Sequence, residues 1–195
     1  LELLLILGSL AATALMVFLI HNLLHDVSFG QLRVLLNLAL PEQVAQHFLK
    51  HPEAYHDRHR GQATILFLDI VGFTQTVEAR SNDVDGVAAS LEKVMDRAVD
   101  AMVKHDLIID KFIGDAIMAF RGGPLVEGDE ADHARRVVRA ALDAKAAVRE
   151  MNDPFFTDVK VGGASAEVLI GAFGTSRRLS YTVLGDGVNL AARLE

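Results

Sequence analysis

The 195-residue chain has no cysteine, which excludes disulfide cross-links and thiolate zinc sites and permits a reducing compartment. It is also short of positive charge, with 19 Lys and Arg against 26 Asp and Glu and a net charge of −7. A nucleic-acid binder normally presents a basic face, so no nucleic-acid partner is expected. A third deficit is local. Leu3 to Ile20 contains no charged residue, and the apolar character continues to Leu24 with only His21 and Asn22 interrupting. About 18 to 22 such residues can span a hydrocarbon core as a helix. The basic start and small-residue cleavage site of a signal peptide are both missing. A buried core or coiled-coil helix is the other alternative, but Gly8, Ser9, Ala11, Ala12 and Ala14 suit helix packing in a membrane. A transmembrane helix is therefore expected at 1–24, with flanks too poor in Lys and Arg to give its orientation. The chain starts at Leu1 without a methionine and stops at Glu195 inside a predicted helix, so a fragment of a longer protein is expected. Its length leaves room for one domain plus an appendage.

Residues 25–60 read as a helical connector. Phe29, Leu32, Leu35, Leu36 and Ala39 recur at helical spacing, and Pro41 then sits in the favoured first turn of a new helix with Val44, Ala45 and Phe48 on one side. His47, His51, His56 and His59 surround Pro52 at a spacing that fits no metal motif, and a solvated linker is expected there.

Two short apolar runs each deliver a carboxylate beside a glycine. Thr64 to Leu68 reads as a buried strand that ends at Asp69, and Gly72 lets the backbone turn so that successive amides can face an anion. Ile108 to Ile113 and Ala116 to Phe120 are separated only by Gly114-Asp115, a two-residue hairpin connection with its glycine first. Taken alone, Asp69 ends a strand and Asp115 supports a turn. If the first strand lies beside the hairpin, the two acids converge across 46 residues of sequence. Such a pair suits hard divalent cations that also hold a phosphate chain.

A third block, Tyr181 to Glu195, has helical character from Val188 onward and puts Asn189 and Arg193 four apart on one helix face. Phe67 to Thr74, Lys111 to Asp115 and Tyr181 to Glu195 together resemble, in order and spacing, the three signature blocks of the class III nucleotidyl cyclase catalytic domain. The resemblance covers roughly residues 42–195, and a C-terminally incomplete catalytic domain is expected over 61–195. Leu40 to Ala45 resembles the transducing segment that precedes many such domains. An ordinary amphipathic helix packing on its own domain remains the alternative.

The remaining elements fit an α+β fold. Val84 to His105 is a helix pattern with Val87, Leu91, Val94, Met95, Ala98 and Met102 inward and Asp83 or Ser81 as its cap. Asp129 to Met151 is a second helix with Ala134, Val137, Val138, Ala141 and Leu142 inward and Arg135, Arg136 and Arg139 as a solvated face. Asn152-Asp153-Pro154 ends that helix. Asp158 to Gly163 and Glu167 to Phe173 read as strands, with turns at Gly171 and Gly174. Where the family usually has a His or Thr and a Gly, this chain has Ala164-Ser165-Ala166, read as local variation in a hairpin. The order of elements gives an antiparallel-containing sheet with helices packed on one face, which agrees with the ferredoxin-like βαββαβ core that the resemblance implies.

The resemblance implies an adenylate cyclase that converts ATP to 3′,5′-cyclic AMP and pyrophosphate with two Mg²⁺ or Mn²⁺ ions. Asp69, Asp115 and the Ile70 carbonyl would be metal ligands, and the amides of Gly72, Phe73 and Thr74 would hold the triphosphate. Asn189 would orient the ribose, and Arg193 would offset charge on the transferring phosphorus. Adenylyl members read the base with a Lys and an Asp or Thr, guanylyl members with a Glu and a Cys. Lys111 and Thr182 therefore favour ATP over GTP. The resemblance further implies a homodimer in which one subunit supplies the acids and the other Lys111, Thr182, Asn189 and Arg193. The apolar run at 1–24 leads to an expected place at the cell membrane with a cytoplasmic catalytic domain, and the resemblance puts a phosphate-binding lysine downstream of Glu195. The alternatives are a guanylate cyclase of the same fold, a catalytically silent dimerisation or regulatory module, and a diguanylate cyclase. The last lacks its acidic Gly-Gly hairpin here.

Overall fold

The computed structural model describes residues 16, 30, 40–51, 53–54, 57–175 and 178–195. The predicted span at 1–24 and most of the predicted helix over 27–40 lie outside them. Among the described residues no helix is long and apolar enough to cross a membrane. The chain divides into two units, Leu1–Ala45 and Gln46–Glu195. Helix α1 (Glu42–Lys50) runs across that boundary and opens with the Ala45 amide bonded to the Pro41 carbonyl at 2.9 Å. Of the histidine patch, His47 lies in α1 and His59 in the first strand, His51 is exposed between them, and His56 lies outside the described residues.

The second unit is built on strands β1 (Arg58–Ile70), β2 (Ile108–Ile113), β3 (Ala116–Gly122), β4 (Val159–Thr175) and β5 (Arg178–Leu184). Helices α2 (Phe73–Ala79), α3 (Val84–Val103), α4 (Glu130–Glu150) and α5 (Asp186–Leu194) connect and follow them. The strands form one antiparallel sheet in the order β2-β3-β1-β4-β5. The first four give the βαββαβ arrangement of a ferredoxin-like core, as expected.

Alternation along β1 divides the sheet into two faces. Leu66, Leu68 and Ile70 point into a core shared with Val94, Ala98 and Met102 of α3 and Val137, Ala144 and Val148 of α4. On the other face, Phe120 stacks on Tyr181 at 6.4 Å between ring centres, and Phe48 meets Tyr181 edge-on. Helix α5 also lies on that face, so close that a Cβ at Gly162 would come within 2.6 Å of the Ala191 carbonyl. Only glycine fits this crossing.

Asp83 caps α3 through the Gly86 amide, and Asp129 caps α4 through the Asp132 amide. Several sequence expectations are corrected. On α4, Val138 and Leu142 are exposed, whereas Ala140, Ala144 and Val148 face the core, because α3 and α4 pack closely enough to favour alanine. The predicted strands at 158–163 and 167–173 are one strand, β4, paired with β1 in unbroken register from Ile70↔Val159 to Arg58↔Gly171. Ala164-Ser165-Ala166 thus lies mid-strand, not in a hairpin, and Gly171 and Gly174 mark no turn. Strand β1 is also longer than the apolar run predicted, starting at Arg58. Arg135 and Arg139 are solvated as expected, but Arg136 is ion-paired to Asp106 at 2.6 Å.

Asp153, at the end of α4, is buried and accepts hydrogen bonds from Ser90 Oγ and from the amides of Phe155 and Phe156. Burial works to raise its pKa, but these donors hold it below 3.8. Its stabilisation is complete above pH 3.8 and is lost as the pH falls through the depressed native value. Asp153→Ala is expected to cost about 2–3 kcal/mol at neutral pH. Urea titrations should show the gap to wild type narrowing below pH 3.8.

Candidate active site

Asp69 has the strand parity of Ile65 and Phe67 but sits near the end of β1, beyond the stretch they bury. Leu68 faces Ile117 on β3, so the Gly114–Asp115 tip of the β2–β3 hairpin comes alongside the end of β1. The Asp69 and Asp115 carboxyls are close enough for each to shift the other's titration. The spatial convergence expected from sequence is met. Burial raises the Asp115 pKa, and the neighbouring Asp69 raises it further. Burial also works to raise Asp69, but hydrogen bonds from Lys160 and Asp115 and the Lys160 charge hold it below 3.8. A proton taken up by the pair therefore goes first to Asp115.

Lys160 faces Asp69 in the β1–β4 register, and its Nζ lies 2.9 Å from Asp69 Oδ2 and 3.1 Å from Glu195 Oε1. Asp69 is thus ion-paired to Lys160, which bridges it to Glu195. Among the described residues no three His, Cys, Asp or Glu side chains converge as a metal cluster. Two carboxylates suit Mg²⁺, which commonly takes one or two protein acids and completes its shell with waters and substrate phosphates. Ile70, the last residue of β1, buries its side chain in the core. Gly72 follows at φ 79°, a conformation glycine adopts freely, and opens α2 without a side-chain cap. Phe73 and Thr74 form the first turn of that helix.

Lys111 and Thr182 lie on β2 and β5, the two edges of the sheet, yet they meet with Lys111 Nζ 3.3 Å from Thr182 Oγ1. Asp110 joins them. Its side chain is fully enclosed, with Oδ2 accepting from the Thr182 hydroxyl and Oδ1 3.3 Å from Lys111 Nζ. Burial raises the Asp110 pKa, opposed by Thr182, Lys111 and the Val183 amide. Asn189 and Arg193 are exposed on α5 and line an open hollow with Asp186 and Ala192, which includes neither Asp69 nor Asp115.

A profile of the adenylate and guanylate cyclase catalytic domain matches residues 55–195. The chain belongs to that family. It is similar to an adenylate cyclase of Mycobacterium tuberculosis, 36% identical over 179 residues, which cover 88% of this chain and 37% of the relative. It is also similar to adenylate cyclase 1 of Rhizobium meliloti, 34% identical over 140 residues, covering 70% of this chain and 21% of the relative. The chain thus spans well under half the length of these curated relatives. Among solved structures, a bacterial light-regulated adenylyl cyclase shares the fold with a TM-score of 0.74 at 23% identity, covering 92% of this chain and 52% of that one. The guanylyl cyclase Cya2 matches with a TM-score of 0.61 at 30% identity, covering 71% and 70%.

Within this cyclase domain the sequence-predicted residues therefore fall into three groups: the acid pair with the turn at Gly72, the Lys111–Thr182 pair, and the exposed Asn189–Arg193 face. Sequence reasoning gave no role to Asp110, Lys160 or Glu195. The β1–β4 register needed to place Lys160 opposite Asp69 has no local sequence signal. Asp110 stands beside Lys111 in sequence, but regular alternation would send the two side chains to opposite faces.

Proposed function

We propose that this cyclase domain converts ATP to 3′,5′-cyclic AMP and pyrophosphate, working as a homodimer. The observation that carries the reading is the meeting of Asp69 and Asp115 at the end of β1. Their carboxylates, with the Ile70 carbonyl, are the residues that would hold two Mg²⁺ or Mn²⁺ ions. Bound there, such ions would favour ionisation of the ribose 3′-hydroxyl and would offset the charge of the departing pyrophosphate.

The chain's own groups supply binding and orientation. Amides of Gly72, Phe73 and Thr74 donate to the triphosphate, and the Lys111–Thr182 pair takes the purine edge. Asn189 positions the ribose, while Arg193, always protonated, neutralises the equatorial oxygens of the transferring phosphorus. Because Asn189 and Arg193 lie exposed beside an open hollow, a second subunit is the natural source of the acids they act with. The apolar run at 1–24 supports a membrane anchor, with the cyclase domain on the cytoplasmic side.

Solved relatives include both adenylyl and guanylyl cyclases, so the test compares the two nucleotides directly. With Mn²⁺ present, the protein is expected to form cyclic AMP from ATP and far less cyclic GMP from GTP. Preference for GTP would support the guanylate alternative, and turnover of neither would indicate a silent module.

A further inference from the structure

Strand β2 carries a bulge that changes what its side chains can reach. Ile109 pairs with Ala119 and Lys111 with Met118, so two steps on β2 answer one on β3 and Asp110 is the extra residue. A bulge of this kind bends the strand and re-aims side chains. It lets Asp110 and Lys111, neighbours in sequence, both reach Thr182. Asp110 thereby ties the two edge strands of the sheet together through an enclosed carboxylate.

The hydrogen bond also decides what Thr182 can offer a ligand. A hydroxyl has one proton and two lone pairs. The Thr182 proton goes to Asp110, and the Lys111 ammonium lies against the oxygen at 3.3 Å, leaving an acceptor and no donor for a purine. Adenine presents an amine at position 6, whereas guanine presents a carbonyl oxygen there. An acceptor matches the first and repels the second.

We propose that Asp110 is a positioning residue for base specificity: it fixes the Thr182 hydroxyl as an acceptor beside Lys111, so that the site admits a 6-amino purine and rejects a 6-oxo purine. This rests on the cyclase activity proposed above. Asp110 acts through Thr182 and does not touch the reacting atoms.

The test is Asp110→Asn in the full chain, with kcat and KM measured separately for ATP and GTP. An amide can donate to Thr182 Oγ1 and release the hydroxyl proton toward the base. The ATP:GTP ratio of kcat/KM is expected to fall about 10- to 100-fold, mostly through KM for ATP, because base recognition is remote from the reacting phosphorus. A purely structural role would lower both nucleotides equally and leave the ratio unchanged. If Asp110→Asn fails to fold, Thr182→Ser and Thr182→Val probe the same bond from its other end. Ser keeps the donor and should keep the discrimination, and Val should lose it. A wild-type ratio in Asp110→Asn, or in Thr182→Val, overturns this inference while leaving the cyclase reading intact. Absence of turnover in wild type overturns both.

Discussion

Replacing Asp69 or Asp115 with alanine is expected to lower cyclic AMP formation by about 10³-fold or more with little change in folding. The two carboxyls come from separate strand ends and lie close enough to raise the Asp115 pKa through mutual repulsion after burial. Divalent ions bound there supply several kcal/mol of transition-state stabilisation, and each 1.36 kcal/mol is tenfold in rate. Neither side chain belongs to the apolar core, so circular dichroism and thermal melting should stay near wild type. Removing Asp115 also removes a like charge from Asp69, so any change in melting should be small for that variant. Equal loss of activity and stability would instead mark the acids as structural.

The second large effect is complementation between inactive subunits. Asp69→Ala and Arg193→Ala should each be inactive as homodimers if Asp69 serves one subunit's substrate and Arg193 reaches it from the other. Random mixing in equal amounts makes about half the dimers mixed, each with one site intact, and should recover about a quarter of wild-type activity in a two-fold assembly. The mixed dimer puts both substitutions in one site and leaves the other whole. No recovery on mixing would place Arg193 and Asp69 of the same chain in one site. The exposure of Arg193 beside a hollow that lacks both acids motivates the intersubunit arrangement.

Much of this site was legible in the sequence because its signals are local. Strand, glycine and acid follow one another within a few residues at Asp69, and the Gly114–Asp115 connection matches a two-residue hairpin, with Gly114 at φ 66°. The inward face of α3 was also legible, since Val87, Val94, Ala98 and Met102 stand at helical spacing and are buried. On helix α4 the reading was right for Val137 and Ala141, which are buried, and wrong for Val138 and Leu142. Those two are exposed, and the close approach of α3 selects Ala140 and Ala144 beside Ala141. The polar half of β1, from Arg58 to Gln62, carries no apolar pattern, and its strand conformation comes from pairing with β4. The role of Asp110 was hidden for a related reason. A bulge depends on the register of two strands, and no single stretch of sequence records it.

Cyclase chemistry at this site requires Asp69 and Asp115 to form one cation seat. Titration of Mn²⁺ into wild type, Asp69→Ala and Asp115→Ala, with free Mn²⁺ followed by electron paramagnetic resonance in the presence of a non-cyclisable ATP analogue, measures this without reference to turnover. Each alanine is expected to weaken Mn²⁺ binding about tenfold or more, and the double variant should be little worse than either single one, as for two ligands of a shared site. Mn²⁺ affinity unchanged in either single variant would contradict the shared seat.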